Sequence, residues 1–465
     1  MTLRPRRSSL HRPDPKELPM PFVISLNDPV RFSAALPEAA DVVVVGAGIA
    51  GVMAAHFLAL AGRRVVVLEK GRVAGEQSSR NWGWIRQQGR DPAELPIMQE
   101  AMRLWEGLAA ELGPELGFRR CGVAYLSDKP ATAEAFAAWV DLARAHGLES
   151  HHLGRAQLAA AIPHATNWVT GLITPSDARA EPFVAVPMLA ERARRAGVTV
   201  IEHCAVRALD IAAGQVAGVV TENGRIRCAQ VLVAAGAWSS LFLRRHGLSL
   251  PQLLVRSTVA QTVPLPEITQ VSGVDDVFAW RRRLDGSYTV APGTSHDFYL
   301  GPDALRHFGK YMPQMRRDLS KTAIHPRAPE PGWPDGWTTA RMWSEDRESP
   351  FERCRILDPA PNRVFLHNVQ RAFGRAFPSL GEPKLVRDWA GMIDVMPDTV
   401  PVLDAAPLPG LYVATGLSGH GFGIGPGVGR VMASLMTGEA PGHDLSRFRW
   451  GRFTDGSKID LGPTF

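Results

Sequence analysis

The order of apolar and polar positions marks one segment sharply. Asp41 is followed by four valines, 42–45, and then by Gly46-Ala-Gly48-Ile-Ala-Gly51. A β-branched run without polar alternation predicts a strand buried on both faces. Residues 52–61 are helix formers and stop at Gly62; 64–68 repeat the apolar run and end at Glu69. The result is a strand, a glycine turn, a helix and a second strand. Helices are predicted at 97–112, 131–146 and from Pro182 to about 196, with Gly197 as the stop. Residues 198–201 and 230–235 read as strands. Residues 205–227 read as a hairpin turning at Ala213-Gly214 and again at Asn223-Gly224.

From about 250 to 385 the pattern changes. Strands such as 277–280 and 287–290 alternate with Pro-rich loops, and Pro326, Pro329, Pro331 and Pro334 predict a surface loop. Buried-strand patterning returns at 411–414, followed by a Gly-rich loop over 416–429 and a helix over about 428–436. There is no internal repeat. This arrangement predicts an α/β chain. A Rossmann-like domain is assembled from 41–95, 182–250 and 385–440, and a mixed-sheet α+β domain is inserted from 96–181 and 251–384. Residues 1–40, rich in Arg, Pro and Ser, predict a loose arm, and 441–465 a tail.

Composition narrows the class. The chain has 465 residues, 45% hydrophobic and 21% charged, which excludes fibrous and wholly disordered architectures. Of 52 basic residues 45 are Arg, spread along the chain, and the net charge is +6. The densest groups, Arg4-Arg6-Arg7 and Arg281-Arg282-Arg283, are short, so a solvated surface is expected rather than a nucleic-acid interface. No stretch reaches the roughly 18 apolar residues of a membrane span. Arg6-Arg7 is not followed by an apolar segment, so no secretion signal is expected. Cys121, Cys204, Cys228 and Cys354 form no C-x-x-C pair, which argues against a zinc site or disulfide framework. Free cysteines suit a reducing compartment, and a cytoplasmic location is expected.

The glycine turn carries chemistry. Gly46 permits the tight turn, Gly48 lets the backbone approach a pyrophosphate, and Gly51 lets helix and strand pack closely. The N-terminus of the helix that follows offers free N–H groups and a positive dipole end to the phosphates. Glu69 lies 18 positions beyond Gly51, near the distance expected of an acid that accepts from ribose hydroxyls. A dinucleotide is therefore expected, with a nicotinamide and a flavin both open. The glycines at 416, 419, 421, 423, 425, 427 and 429 leave backbone N–H groups unshielded, and a helix end behind them would stabilise an anionic ligand.

Several segments resemble the D-amino acid oxidase family of flavoproteins, whose members include glycine oxidase, sarcosine oxidase and D-amino acid dehydrogenase. They are Ser78-Ser79-Arg80-Asn81, Val233-Ala-Ala235-Gly236-Ala-Trp238-Ser, Asp398-Thr-Val-Pro401 and the stretch 414–429. With the glycine turn they extend the resemblance over most of the chain. It implies FAD as cofactor, bound by Gly46, Gly48, Ile49, Ala50, Gly51, Glu69, Lys70, Ser78, Ser79, Arg80, Asn81, Val206, Ala235, Gly236, Trp238, Gly391, Gly419, His420, Gly421, Gly423 and Ile424. Some relatives carry a Cys that links FAD covalently at the place matching Gly391, so non-covalent FAD is expected here. The Arg that clamps a substrate carboxylate in glycine and D-amino acid oxidases is replaced by Ile393. Arg86 matches the Arg that sarcosine oxidases use near the flavin, and its fork suits a carboxylate; a surface or ion-pair role is the alternative. His420 is the second candidate catalytic residue, with a purely structural role as the alternative.

The implied reaction is oxidation of the C–N bond of an amino acid or N-substituted amino acid by hydride transfer to the flavin, giving an imine that water hydrolyses. Oxygen is the expected acceptor. A dehydrogenase passing electrons to a quinone or protein acceptor, and a non-catalytic flavin-bound subunit of a complex, are the alternatives. A pyridine-nucleotide monooxygenase is disfavoured, because no second G-x-G-x-x-G occurs. An oligomer is compatible with all of these.

Overall fold

The computed structural model describes residues 22–163, 165, 167–327 and 332–463. Its first sheet has six strands in the order Val402–Ala405, Leu411–Thr415, Gln230–Val233, Val42–Val45, Val65–Leu68 and Thr199–Ile201. Five are parallel, and the edge strand Val402–Ala405 runs antiparallel to its neighbour. All four valines of Val42–Val45 are buried, as a strand covered on both faces requires. Helices Ile49–Leu60, Leu95–Leu112, Pro182–Arg195 and Gly421–Thr437 share the core on one side. On the other lies an antiparallel three-stranded sheet over Val206–Ala212, Gln215–Thr221 and Gly224–Arg227. Its second turn is Glu222-Asn223, with Gly224 closing it opposite Thr221.

The second sheet has ten strands of mixed direction. Its spine is Leu253–Thr262, paired antiparallel along its whole length with Leu385–Val395. The other edge of the spine is shared, by His296–Tyr299 near Val255 and by Tyr288–Pro292 near Ala260. Helix Arg363–Ala376 backs this sheet, burying Leu366, Val369 and Phe373 among Phe278, Trp280 and Tyr288. Asn362 caps it, its side chain accepting from the N–H of Val364 and Phe365. Sheet positions Ser257, Val259, Gly391 and Ile393 face a cavity between the two sheets.

The α/β architecture with a Rossmann-like part and a mixed-sheet part is as expected, with several differences of detail. Residues 22–40 are not a loose arm. Val23, Ile24 and Phe32 are buried, and the Glu202 carboxylate accepts from the N–H of Arg31 and Phe32, tying the segment to the first sheet. Residues 1–21 of the expected arm lie outside the described residues. The boundaries drawn at 95 and 385 do not follow the packing. Helix Leu95–Leu112 shares the core of the first sheet, and strand Leu385–Val395 belongs to the second. The 250–385 stretch holds helices that strand and loop patterning did not predict, the short Pro302–Arg306 and Pro350–Arg353 and the longer Phe308–Asp318 and Arg363–Ala376. In the Pro-rich loop, Trp333 is buried against Tyr299, so this segment is partly core; 328–331 lie outside the described residues. The tail docks over its described residues, 441–463, through Phe448 and Phe453 and through Arg452, whose guanidinium grips the Asp398 carboxylate at 2.8 and 3.1 Å; 464–465 lie outside the described residues.

The largest difference is at the C-terminal glycines. The helix expected from about 428 begins at Gly421 and runs to Thr437. Only 416–420 remain a loop. A Cβ on Gly425 would lie 2.8 Å from Ile49, on Gly427 2.6 Å from the Ile97 carbonyl, and on Gly429 2.5 Å from Met53. These glycines let the helix lie against Ile49–Leu60 and Leu95–Leu112 at backbone distance.

Candidate active site

A cavity of about 620 Å3 lies between the two sheets, a size that accommodates a large organic ligand. The strand Val42–Val45 delivers the glycine turn to one end of it. Gly46 has φ +105°, and a Cβ there would meet the Ala234 carbonyl at 2.6 Å, so the turn passes the neighbouring strand at backbone contact. A Cβ on Gly48 would meet only the Ser78 hydroxyl, at 3.1 Å, and Gly48 lines the cavity. The Ser78 hydroxyl accepts from the Ile49 N–H at 3.0 Å. Glu69 lines the same end. Its carboxylate accepts from the N–H of Ala47 at 2.9 Å and of Gly71 at 2.8 Å, bracing two loops. Burial pushes its pKa up, against the pull of Lys70.

Of the residues expected at the cofactor, Gly46, Gly48, Ile49, Ala50, Glu69, Lys70, Ser78, Arg80, Asn81, Val206, Ala235, Gly236, Trp238, Gly391, Gly419, His420 and Gly421 line the cavity. Gly51, Ser79, Gly423 and Ile424 do not. Gly51 packs where a Cβ would stand 2.1 Å from the Gly46 carbonyl, and Gly423 abuts Ile85. Ser79 and Ile424 are fully buried. Some of the lining residues are held by the protein itself. Lys70 donates to Glu76 and to the carbonyls of Cys354 and Arg355, and it stands over the Trp238 ring. Arg80 donates to Asp358 and to the carbonyls of Ala390 and Gly75. Asn81 closes a turn, donating to the Gln77 and Ser78 carbonyls and accepting from the Gly83 N–H.

At the other end, the cavity is walled by Trp82, Trp84, Tyr125 and Phe136 together with Arg86, Arg90 and His420. Arg86 stacks on the Tyr125 ring and donates to its hydroxyl and to the Gln88 carbonyl. Arg90 was not singled out in the sequence, although it lies four positions beyond Arg86 in the same loop. It is 4% exposed; its Nε donates to the Arg86 carbonyl at 3.2 Å, while its Nη1 is buried without a partner. Burial, then the Arg86 charge, pushes its pKa down to about 9. Asp394 was likewise missed in the sequence. It accepts from the Gly416 N–H at 2.8 Å and from Gln252 at 2.9 Å, fixing the short glycine loop.

Two helix N-termini open on this cavity, those of Ile49–Leu60 and Gly421–Thr437; neither N-cap residue caps with its own side chain, though the Ser78 hydroxyl takes the Ile49 N–H. The remaining N–H donors and the positive ends of helices this long face an anionic ligand. With the cradle at Gly48, they fit a dinucleotide carrying a diphosphate. Residues 41–435 match the family described as FAD dependent oxidoreductase, DAO. The chain belongs to this family. FAD is its cofactor, and the chain is an FAD-dependent oxidoreductase of a family that oxidises C–N bonds of amino acids and amines. None of the four cysteines lines the cavity among the described residues.

Relatives of this DAO-family chain match most of its length. It is 25% identical over 428 residues to the sarcosine oxidase subunit beta of Rhizobium meliloti (strain 1021), covering 90% of each chain. It is 23% identical to the mitochondrial sarcosine dehydrogenase of Homo sapiens over 90% of its own length, spanning 42% of that longer protein. Among solved structures, the L-amino acid deaminase of Proteus myxofaciens in complex with anthranilate superposes with a TM-score of 0.84. The two are 27% identical, covering 91% of this chain and 96% of that one.

Proposed function

We propose that this chain oxidises the C–N bond of an amino acid whose carboxylate lies against Arg86 and Arg90. The observation that carries this is the pair of guanidinium groups at the aromatic end of the cavity, one with a buried Nη1 lacking any partner. A buried cation with an unfilled donor is costly, and a carboxylate supplies the acceptor it lacks. The relatives support the same class: sarcosine and L-amino acids both carry an amine beside a carboxylate.

In this reading Gly46, Gly48 and the start of helix Ile49–Leu60 hold the FAD diphosphate, Glu69 holds a ribose, and Gly419, His420 and Gly421 lie toward the ring. When bound, FAD supplies a two-electron acceptor for the hydrogen leaving the substrate carbon. The aromatic wall excludes water and presents the carbon beside nitrogen. The carboxylate clamp sets which face of that carbon is offered. The imine released is hydrolysed by water. Oxygen is the acceptor in this reading, aided by the positive end of Gly421–Thr437.

The test is an anaerobic screen of amino acids and N-alkyl amino acids that follows flavin absorbance. Bleaching by carboxylate-bearing amines, with little by the same amines lacking the carboxylate, is the expected result. No bleaching by any amine would make the chain a flavin-bound subunit without this activity. Substrate-reduced enzyme is then mixed with air-saturated buffer. Reoxidation much slower than turnover with an artificial dye would make it a dehydrogenase.

A further inference from the structure

Behind the wall of the cavity lies a buried carboxylate with no evident task. Glu94, at the start of helix Leu95–Leu112, is 1% exposed, and neither of its oxygens accepts a hydrogen bond. A buried, unpaired carboxylate is expensive in any fold. Its near neighbour is His420, whose Nδ1 stands 3.5 Å from Oε1 of Glu94. That ring nitrogen is itself buried without a hydrogen-bond partner. His420 lines the cavity, and Nε2 is the ring nitrogen that Glu94 does not engage.

The charged groups around the imidazole are few. Glu94 faces it from helix Leu95–Leu112, and Arg86 and Arg90 face it from the preceding loop; its own residue is the N-cap of Gly421–Thr437. Burial, then Arg90, pushes the His420 pKa down to about 4, so the ring is neutral near pH 7. Burial pushes Glu94 up, but His420 and Arg90 outweigh it and the carboxyl lies below its usual range. A neutral imidazole beside an ionised carboxylate carries its proton on the nitrogen facing that carboxylate. The other nitrogen then presents a lone pair.

We propose that Glu94 is a positioning residue that holds His420 as its Nδ1–H tautomer, and that Nε2 of His420 takes the proton of the substrate ammonium before the C–H bond is broken. This rests on the amino acid reading above. An N–H bond of the ammonium breaks, an Nε2–H bond forms, and the electron pair stays on the amine nitrogen; nothing is oxidised or reduced in this step. The resulting imidazolium sets a second positive charge, besides that of Arg90, against Glu94. Arg86 and Arg90 lower the proton affinity of the ammonium and of the imidazole alike, so the transfer is uphill and the imidazolium is transient.

Two measurements test this on the FAD-loaded enzyme. The first is nitrogen-15 NMR of histidine-labelled wild type, with His420 assigned by the signal lost in His420→Asn. Protonated Nδ1 and unprotonated Nε2 are expected, with that preference lost in Glu94→Gln. An Nε2–H tautomer in wild type overturns the proposal even if the Glu94 variant fails to fold. The second is the rate of anaerobic flavin bleaching against pH. Glu94→Gln and His420→Asn should slow it about a hundredfold near pH 7 and approach wild type at alkaline pH, where the substrate enters as free amine. A loss equal at all pH values, or no loss, overturns the proposal and leaves the amino acid reading intact. Wild type unbleached by every amino acid overturns both.

Discussion

Replacing Gly429 by alanine sets two effects of opposite sign against each other. Alanine is the better helix former by about 1 kcal/mol, and Gly429 lies within helix Gly421–Thr437. Its Cβ, however, would stand 2.5 Å from Met53 Cβ and 2.6 Å from the backbone N of Ala54. Neither atom can rotate away, so the two helices must part by about 1 Å to reach ordinary contact, forfeiting part of their dispersion energy. Overpacking of this kind costs roughly 1–3 kcal/mol. With unyielding backbone opposite, the upper end applies, and the net destabilisation is about 2 kcal/mol. Gly107 is the control. It lies exposed in helix Leu95–Leu112, and a Cβ there has no heavy atom within 4 Å. Gly107→Ala should stabilise by about 0.5–1 kcal/mol. Thermal melting of the FAD-loaded proteins should place the two variants on opposite sides of wild type. Gly429→Ala should also lose FAD more readily, because the displaced helix carries His420 and Gly421 into the cavity wall. Gly429→Ala melting at or above wild type, or both variants moving together, would refute the claim that these glycines are packing contacts.

Acid precipitation should release all the flavin into the supernatant, since no cysteine among the described residues lines the cavity; colour left in the pellet would show a covalent link. Gly48→Val should purify as apoprotein, measured by the ratio of flavin to protein absorbance, because its side chain would occupy the cradle. Arg86→Lys keeps the charge and loses the fork. It should lower kcat/KM by roughly ten- to a hundredfold, about 1.4–2.8 kcal/mol, for carboxylate substrates, and equal losses for the decarboxylated amine would sink the assignment. Asp177 accepts from the N–H of Gln87 and Gln88, and burial pushes its pKa up to about 6. A carboxyl raised in the fold binds its proton more tightly folded than unfolded. Its contribution to stability therefore falls as pH rises between about 4 and 6, and Asp177→Asn should flatten the melting temperature over that window.

The parts of the site that were legible in the sequence are those set by local backbone needs. The turn at Gly46 to Gly51 follows a four-residue apolar strand and precedes a helix, so its position and its use of glycine follow from neighbours in the chain. Helix Arg363–Ala376 was missed: Leu366, Val369, Phe373 and Ala376 repeat at helical spacing, but the surrounding Pro-rich stretches masked the pattern. Glycine density misled at 421–429. It reads as loop because isolated glycines disfavour helix, and here helix–helix contact at backbone distance outweighs that propensity.

By itself, the order of apolar runs and glycines determined a doubly covered sheet with a dinucleotide turn, because strand burial and phosphate approach are imposed by residues adjacent in sequence. Only the tertiary structure decided which polar groups meet. Arg90 is left with a free Nη1, and Glu94 is brought to His420 from a residue 326 positions away. Lys70 and Arg80 are held in part by nearby Glu76 and the Gly75 carbonyl, and in part by carbonyls and the Asp358 carboxylate from 354 onward in the chain. Desolvation and hydrogen-bond partnership are properties of atoms packed together in space. The chemistry of Arg90, Glu94 and His420 was therefore settled by distant segments that no local pattern names.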